Sequence, residues 1–180
     1  MHRALSLASG TALILLAACQ PSKPVPLTAA DSTAITKIRT DYMAAWNKGD
    51  VDGVVALYTA DAVVQLQNAP ALKGSDAIRT YFNTAMGTPT RATTDIRSTT
   101  MMGRQDLAVG VGTFTMTPPA PPAPAKGAAP APPPPVAGKY IDALTKQADG
   151  SWKIAFHAIS FDAPPAPPPA PAKPARRRGR

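Results

Sequence analysis

The sequence predicts an α+β domain in which three helices precede a curled antiparallel sheet. Three observations point there. Apolar residues recur at helical spacing in three segments between positions 31 and 87. From position 90 onward the pattern changes to long strand-like runs rich in Thr and Val. Near the end, "GKYIDALTKQ" and "SWKIAFHAISF" flank "ADG", which reads as a β-hairpin.

The elements follow in order. Asp31 is placed to cap a first helix, in which Ile35, Ile38, Tyr42, Ala45 and Trp46 share one face. "NKG" at 47–49 ends it. Asp50 caps a second helix with Val51, Val54, Val55 and Tyr58 as its apolar stripe. "DAVVQLQ" then alternates Ala62, Val64 and Leu66 against Val63, Gln65 and Gln67, as a half-buried strand does. Residues 68–74 read as a loop. Ser75 opens a third helix with Ile78, Tyr81, Phe82, Ala85 and Met86 inward, and Gly87 closes it. "TRATTDIRSTTMM" is a Thr-rich strand, "GRQD" turns it, and "LAVGVGTFTMT" runs back. Gly110 and Gly112 inside that run mark bending or close backbone approach. In the final hairpin, strict alternation puts Tyr140, Asp142 and Leu144 on one face of the first strand. It puts Ala155, His157 and Ile159 on one face of the second, and Trp152, Ile154, Phe156 and Ala158 on the other.

Composition divides the 180 residues further. Residues 1–18 have a basic start and the short apolar core "ALILLAA", the pattern of a cleaved secretory signal. "LAAC" at 16–19 resembles a bacterial lipobox, which implies cleavage before Cys19 and lipid on its sulfur and new amino terminus. Cys19 is the only cysteine, so no internal disulfide forms. Gln20 rather than Asp follows it, which by the rule for such lipoproteins directs the protein to the outer membrane, facing the periplasm. Residues 19–30 are the lipidated tether and 31–162 the domain. Of 22 prolines, 17 lie in two Pro/Ala tracts without apolar periodicity. The first is an insertion at 118–137 between two strands, and the second is the tail, 163–180. Five of the last eight residues, 173–180, are basic, which suits contact with anionic cell-wall or lipopolysaccharide phosphate. The basic residues are not interleaved with aromatics, and an exported protein does not meet nucleic acid. There is no phosphate-binding Gly-rich loop and no His/Cys cluster for a metal, so no cofactor is expected. All eleven acidic residues are Asp. After signal cleavage removes His2, His157 is the one imidazole.

"YMAAWNKGDVDGVVALYTADAVVQ", "LKGSDAIRTYF" and "GKYIDALTKQADGSWKIAFHAIS" together resemble the SnoaL-like, nuclear transport factor 2-like superfamily, over about residues 31–162. The resemblance implies a cone, with a curved, mostly antiparallel sheet and three helices enclosing a pocket. Tyr42, Trp46, Val64, Leu66, Tyr140, Asp142, His157 and Ile159 are the expected lining. It also implies a homodimer through the open sheet face. In the steroid isomerase branch a carboxylate base works with two donors, a tyrosine and a neutral carboxylic acid. Tyr42 matches the tyrosine and Asp142 the acid, but the base position holds Leu66, which cannot abstract a proton. Two readings of His157 remain. Asp142 across the hairpin would orient the imidazole, raise its pKa and make an acid–base pair, with Tyr42 as donor. Alternatively the two are a satisfied polar pair in an apolar cavity. The first expectation for function is a lipid-anchored domain that binds a small hydrophobic ligand, or serves as an accessory or scaffold, without turnover. The alternative is an acid–base enzyme of isomerase, cyclase or dehydratase type using His157, Asp142 and Tyr42.

Overall fold

A computed structural model describes residues 25–87, 92–121 and 131–162. Helix α1 spans Ala29–Lys48, α2 Val51–Val55 and α3 Gly74–Met86. The strands are β1 (Tyr58–Gln65), β2 (Leu72–Lys73), β3 (Thr93–Arg104), β4 (Leu107–Thr117), β5 (Val136–Lys146) and β6 (Trp152–Phe161). They form one sheet in the order β2-β1-β6-β5-β4-β3. All neighbours are antiparallel except β1 and β6, which run parallel and are joined by the long crossover through β2, α3 and β3–β5. This is the expected α+β plan. The core lies where α1 and α3 close over the inner sheet face, around Val54, Ile78, Phe82, Leu144 and Ile154, each essentially inaccessible to solvent.

Local chemistry places the elements, with some corrections to the sequence reading. The cap of α1 is Thr28 rather than Asp31. Asp31 sits three residues in and completes a capping box, accepting from the Thr28 backbone N–H. Asp31 also accepts from Trp152 Nε1 at 3.0 Å and from Lys146 Nζ at 2.8 Å, which ties the start of α1 to the β5–β6 hairpin. Gly49, in the left-handed region at φ 76, ends α1. Tyr58 belongs to β1 rather than to the second helix, and the predicted loop at 68–74 contains the short strand β2. Strand β5 takes up Val136 and Ala137, which the sequence placed in the insertion. The hairpin turn has the Gly150 N–H donating to the Gln147 carbonyl with Gly150 at φ 83, a turn that "ADG" suits.

Two strand features shape the inner face. The β5–β6 register slips between Ala143 and Leu144, so that Phe156 opposes Ala143 and Ile154 opposes Leu144. Ala155 is therefore a bulge residue. The predicted alternation put Trp152 and Ile154 opposite to His157; the bulge instead turns all three inward, and all three are buried. Gly112 pairs with Tyr140 on the next strand, and a Cβ there would lie 2.7 Å from the tyrosine ring and 2.2 Å from the Arg97 carbonyl oxygen. The expected close approach is thus real at Gly112. At Gly110 the nearest atom is 3.9 Å away, so no such constraint operates there.

Candidate functional site

Helices α1 and α3 and the inner sheet face enclose a cavity of about 190 Å³. Tyr42, Trp46, Val64, Leu66, Tyr140, His157 and Ile159 all line it, seven of the eight expected residues. The eighth, Asp142, lies directly behind His157 as its cross-strand partner and is fully buried. Phe82, Phe114 and Phe161 add further apolar wall. Leu66 faces the cavity, so the wall carries a hydrocarbon there. No aspartate lines the cavity among the described residues.

His157 Nδ1 stands 2.5 Å from Asp142 Oδ1. The sequence anticipated that meeting. It did not anticipate Arg39, whose Nη2 forms an ion pair with Asp142 Oδ2. Arg39 lies on the inward face of α1, three residues before Tyr42, and its guanidinium sits 4.5 Å over the Tyr140 ring. The signal was present in the sequence. A basic residue interrupts the apolar stripe Ile35, Ile38, Tyr42, and the inward face of a later strand carries Asp142. Two opposite charges, each on a core face, have each other as the available partner.

The chain of charges fixes the state of the imidazole. Guanidinium holds its proton, even though burial lowers the Arg39 pKa. Asp142 thereby stays a carboxylate and accepts from Nδ1–H, which leaves Nε2 with a lone pair. The expectation that Asp142 raises the His157 pKa is overturned. Burial first, and then the charge of Arg39, push it down to about 3. The Asp142 charge is neutralised by Arg39, so desolvation decides the balance. His157 is neutral at ordinary pH. Its ring stacks between Tyr42 and Tyr140, with centroids 6.2 and 6.5 Å away. The Tyr140 hydroxyl is 3.0 Å from Ser98 Oγ. Burial raises the Tyr42 and Tyr58 hydroxyls far above the usual phenol range, so both remain protonated donors. Among the described residues no group of three or more His, Cys, Asp or Glu could hold a metal ion. No helix among them is long and apolar enough to cross a membrane. Cys19, the signal and the basic tail lie outside the described residues.

Comparison with known proteins agrees with this architecture. A ketosteroid isomerase-like protein from Erwinia carotovora superposes with a TM-score of 0.62 at 23% identity, covering 76% of this chain and 100% of that one. A nuclear transport factor 2-like protein of unknown function from Pseudomonas putida gives 0.62 at 18% identity, over 77% and 99%. A protein with a cystatin-like fold from Nostoc punctiforme gives 0.59 at 21% identity, over 76% and 94%. Among curated proteins the chain has no match. Similarities at this level of identity establish the fold. The family follows from the sequence model of the SnoaL-like domain, which matches residues 40–157. That span runs from α1, just after Arg39, to the imidazole at the floor of the cavity, and the chain belongs to the SnoaL-like domain family.

Proposed function

We propose that this chain is a binding protein for a small, largely apolar molecule, held in the cavity without chemical turnover. The observation that carries the reading is the Arg39–Asp142–His157 chain under an apolar cavity. Its orientation resembles that of a catalytic dyad, but its electrostatics oppose proton transfer. A general base works best with a pKa near the operating pH. An imidazole lowered to about 3 falls several units short of that. With Leu66 in the wall, no carboxylate among the described residues takes its place. The chain is suited to orient and to accept a hydrogen bond. The cavity is smaller than the roughly 300 Å³ at which drug-sized pockets begin, so the ligand is small.

The acid–base enzyme keeps one observation in its favour, the 2.5 Å contact of His157 and Asp142 beside a protonated Tyr42. NMR titration of the protein with single-ring arenes separates the readings. Saturable shifts at His157 and Tyr42 with the added compound recovered unchanged are the expected result. Conversion of a bound carbonyl compound that is lost in His157→Ala would move the assignment to the enzyme. An absence of binding by any arene would remove both.

The proposal extends to where the protein works. The lipobox around Cys19 supports a lipid anchor on the periplasmic side of the outer membrane. The basic end at 173–180 supports contact with anionic wall or lipopolysaccharide phosphate. The outer sheet face, with a shallow groove along Val111, Ile141 and Ala158 and with Ile141 exposed, supports a homodimer. Labelling by palmitate that is lost in Cys19→Ala tests the anchor, and a monomeric mass by light scattering would remove the dimer.

A further inference from the structure

We infer that the ligand of this cavity is a neutral single-ring compound with one hydrogen-bond donor, of which phenol is the simplest probe, and that its hydroxyl donates to Nε2 of His157. The inference rests on the binding reading above and adds a chemical class to it. The Asp142 carboxylate can only accept, so the 2.5 Å contact assigns the proton to Nδ1. A neutral imidazole protonated at Nδ1 offers Nε2 purely as an acceptor. No described residue donates to Nε2, and it is not among the buried polar atoms sealed away from the surface. His157 is 6% exposed, and what exposure it has belongs to the cavity it lines. Nε2 thus faces the cavity as an acceptor that no described side chain serves, and a donor brought by the ligand would pair with it there.

Charge and size narrow the class. Among the described residues the one cation in the wall, Arg39, is paired with Asp142, and its terminal nitrogens are sealed from the surface. Among these residues an anionic ligand meets no free cation, and an ammonium ligand meets no carboxylate. What the wall serves is a neutral donor. A cavity of about 150 Å³ accommodates a benzene ring. The 190 Å³ here takes that ring with a small substituent. Trp46, Phe82 and Phe114 supply the aromatic surface on which such a ring packs.

The test compares phenol with toluene, which has similar bulk and no donor. In the wild-type protein, ¹⁵N NMR of the imidazole is expected to show the Nδ1–H tautomer. Phenol should move the Nε2 resonance and toluene should not. In His157→Phe the ratio of phenol to toluene affinity, read by calorimetry, should fall by about tenfold or more, because the phenol hydroxyl is then left unpaired. An Nε2–H tautomer overturns the inference. So does phenol binding that leaves Nε2 unmoved, while the cavity reading survives. If neither compound binds, the inference and the binding reading fail together.

Discussion

His157 is buried neutral, and that has a consequence for stability. In the unfolded chain its pKa returns to about 6.5. In the folded protein it is lowered to about 3. As pH falls from 6.5, the unfolded state takes up a proton that the folded state refuses, so stability declines until about pH 3. The limiting slope is about 1.4 kcal/mol per pH unit. Between pH 6.5 and 5 the loss from this residue is expected to be about 1.5–2 kcal/mol. That interval isolates it. Asp31, which Lys146 above all holds well below the ordinary carboxylate range, acts in the opposite way. Its depressed pKa contributes stability above the unfolded value of about 3.9, and the contribution is lost only as pH falls below that. Urea denaturation at pH 6.5 and 5 checks the point. The wild type should lose stability over this interval and His157→Phe should not. Equal slopes would mean that the imidazole is already protonated in the fold.

At the level of elements, much was legible because the signals were local. Helical spacing located α1 and α3, and "ADG" located the last hairpin. What was missed depends on pairing between strands. Strict period-two reading assigns Ile154 and His157 to opposite faces, since three positions separate them. The Ala155 bulge removes one position and brings both inward. Alanine carries no mark of a bulge, so the extra residue is visible only once Ala143 and Phe156 are paired. The same limit hid Arg39. Its place on the inward stripe of α1 was readable, but its partner lies on β5, across the fold. The cap of α1 was misplaced for a different reason. Thr28 and Asp31 are both good capping residues, and the capping box uses them together. The cavity lining, by contrast, was legible through the family resemblance, since seven of its residues follow from inward positions on elements that the motifs locate.

For the molecule as a whole, two ties that involve charged side chains fasten α1 to the sheet, beside the pair of hydrogen bonds that Asn47 exchanges with the Thr94 backbone. Asp31 at its start reaches Lys146 and Trp152, and Arg39 further along reaches Asp142. The second tie is almost wholly shielded from solvent. Asp142 is wholly inaccessible and Arg39 nearly so. A buried ion pair contributes little net stability compared with apolar groups of the same shape, but removing one partner leaves an uncompensated charge in the core. Arg39→Met should therefore cost about 3–5 kcal/mol in chemical denaturation. The double variant Arg39→Met/Asp142→Leu should recover most of that loss, because no charge then remains buried. The single change has a second expected effect. With the guanidinium gone, the Asp142 charge is free to stabilise an imidazolium, so the His157 pKa should rise from about 3. NMR titration of the ring in whatever fraction of Arg39→Met remains folded reads that shift. An unchanged His157 titration, or a single variant as stable as the wild type, would show that Arg39 does not hold the imidazole neutral.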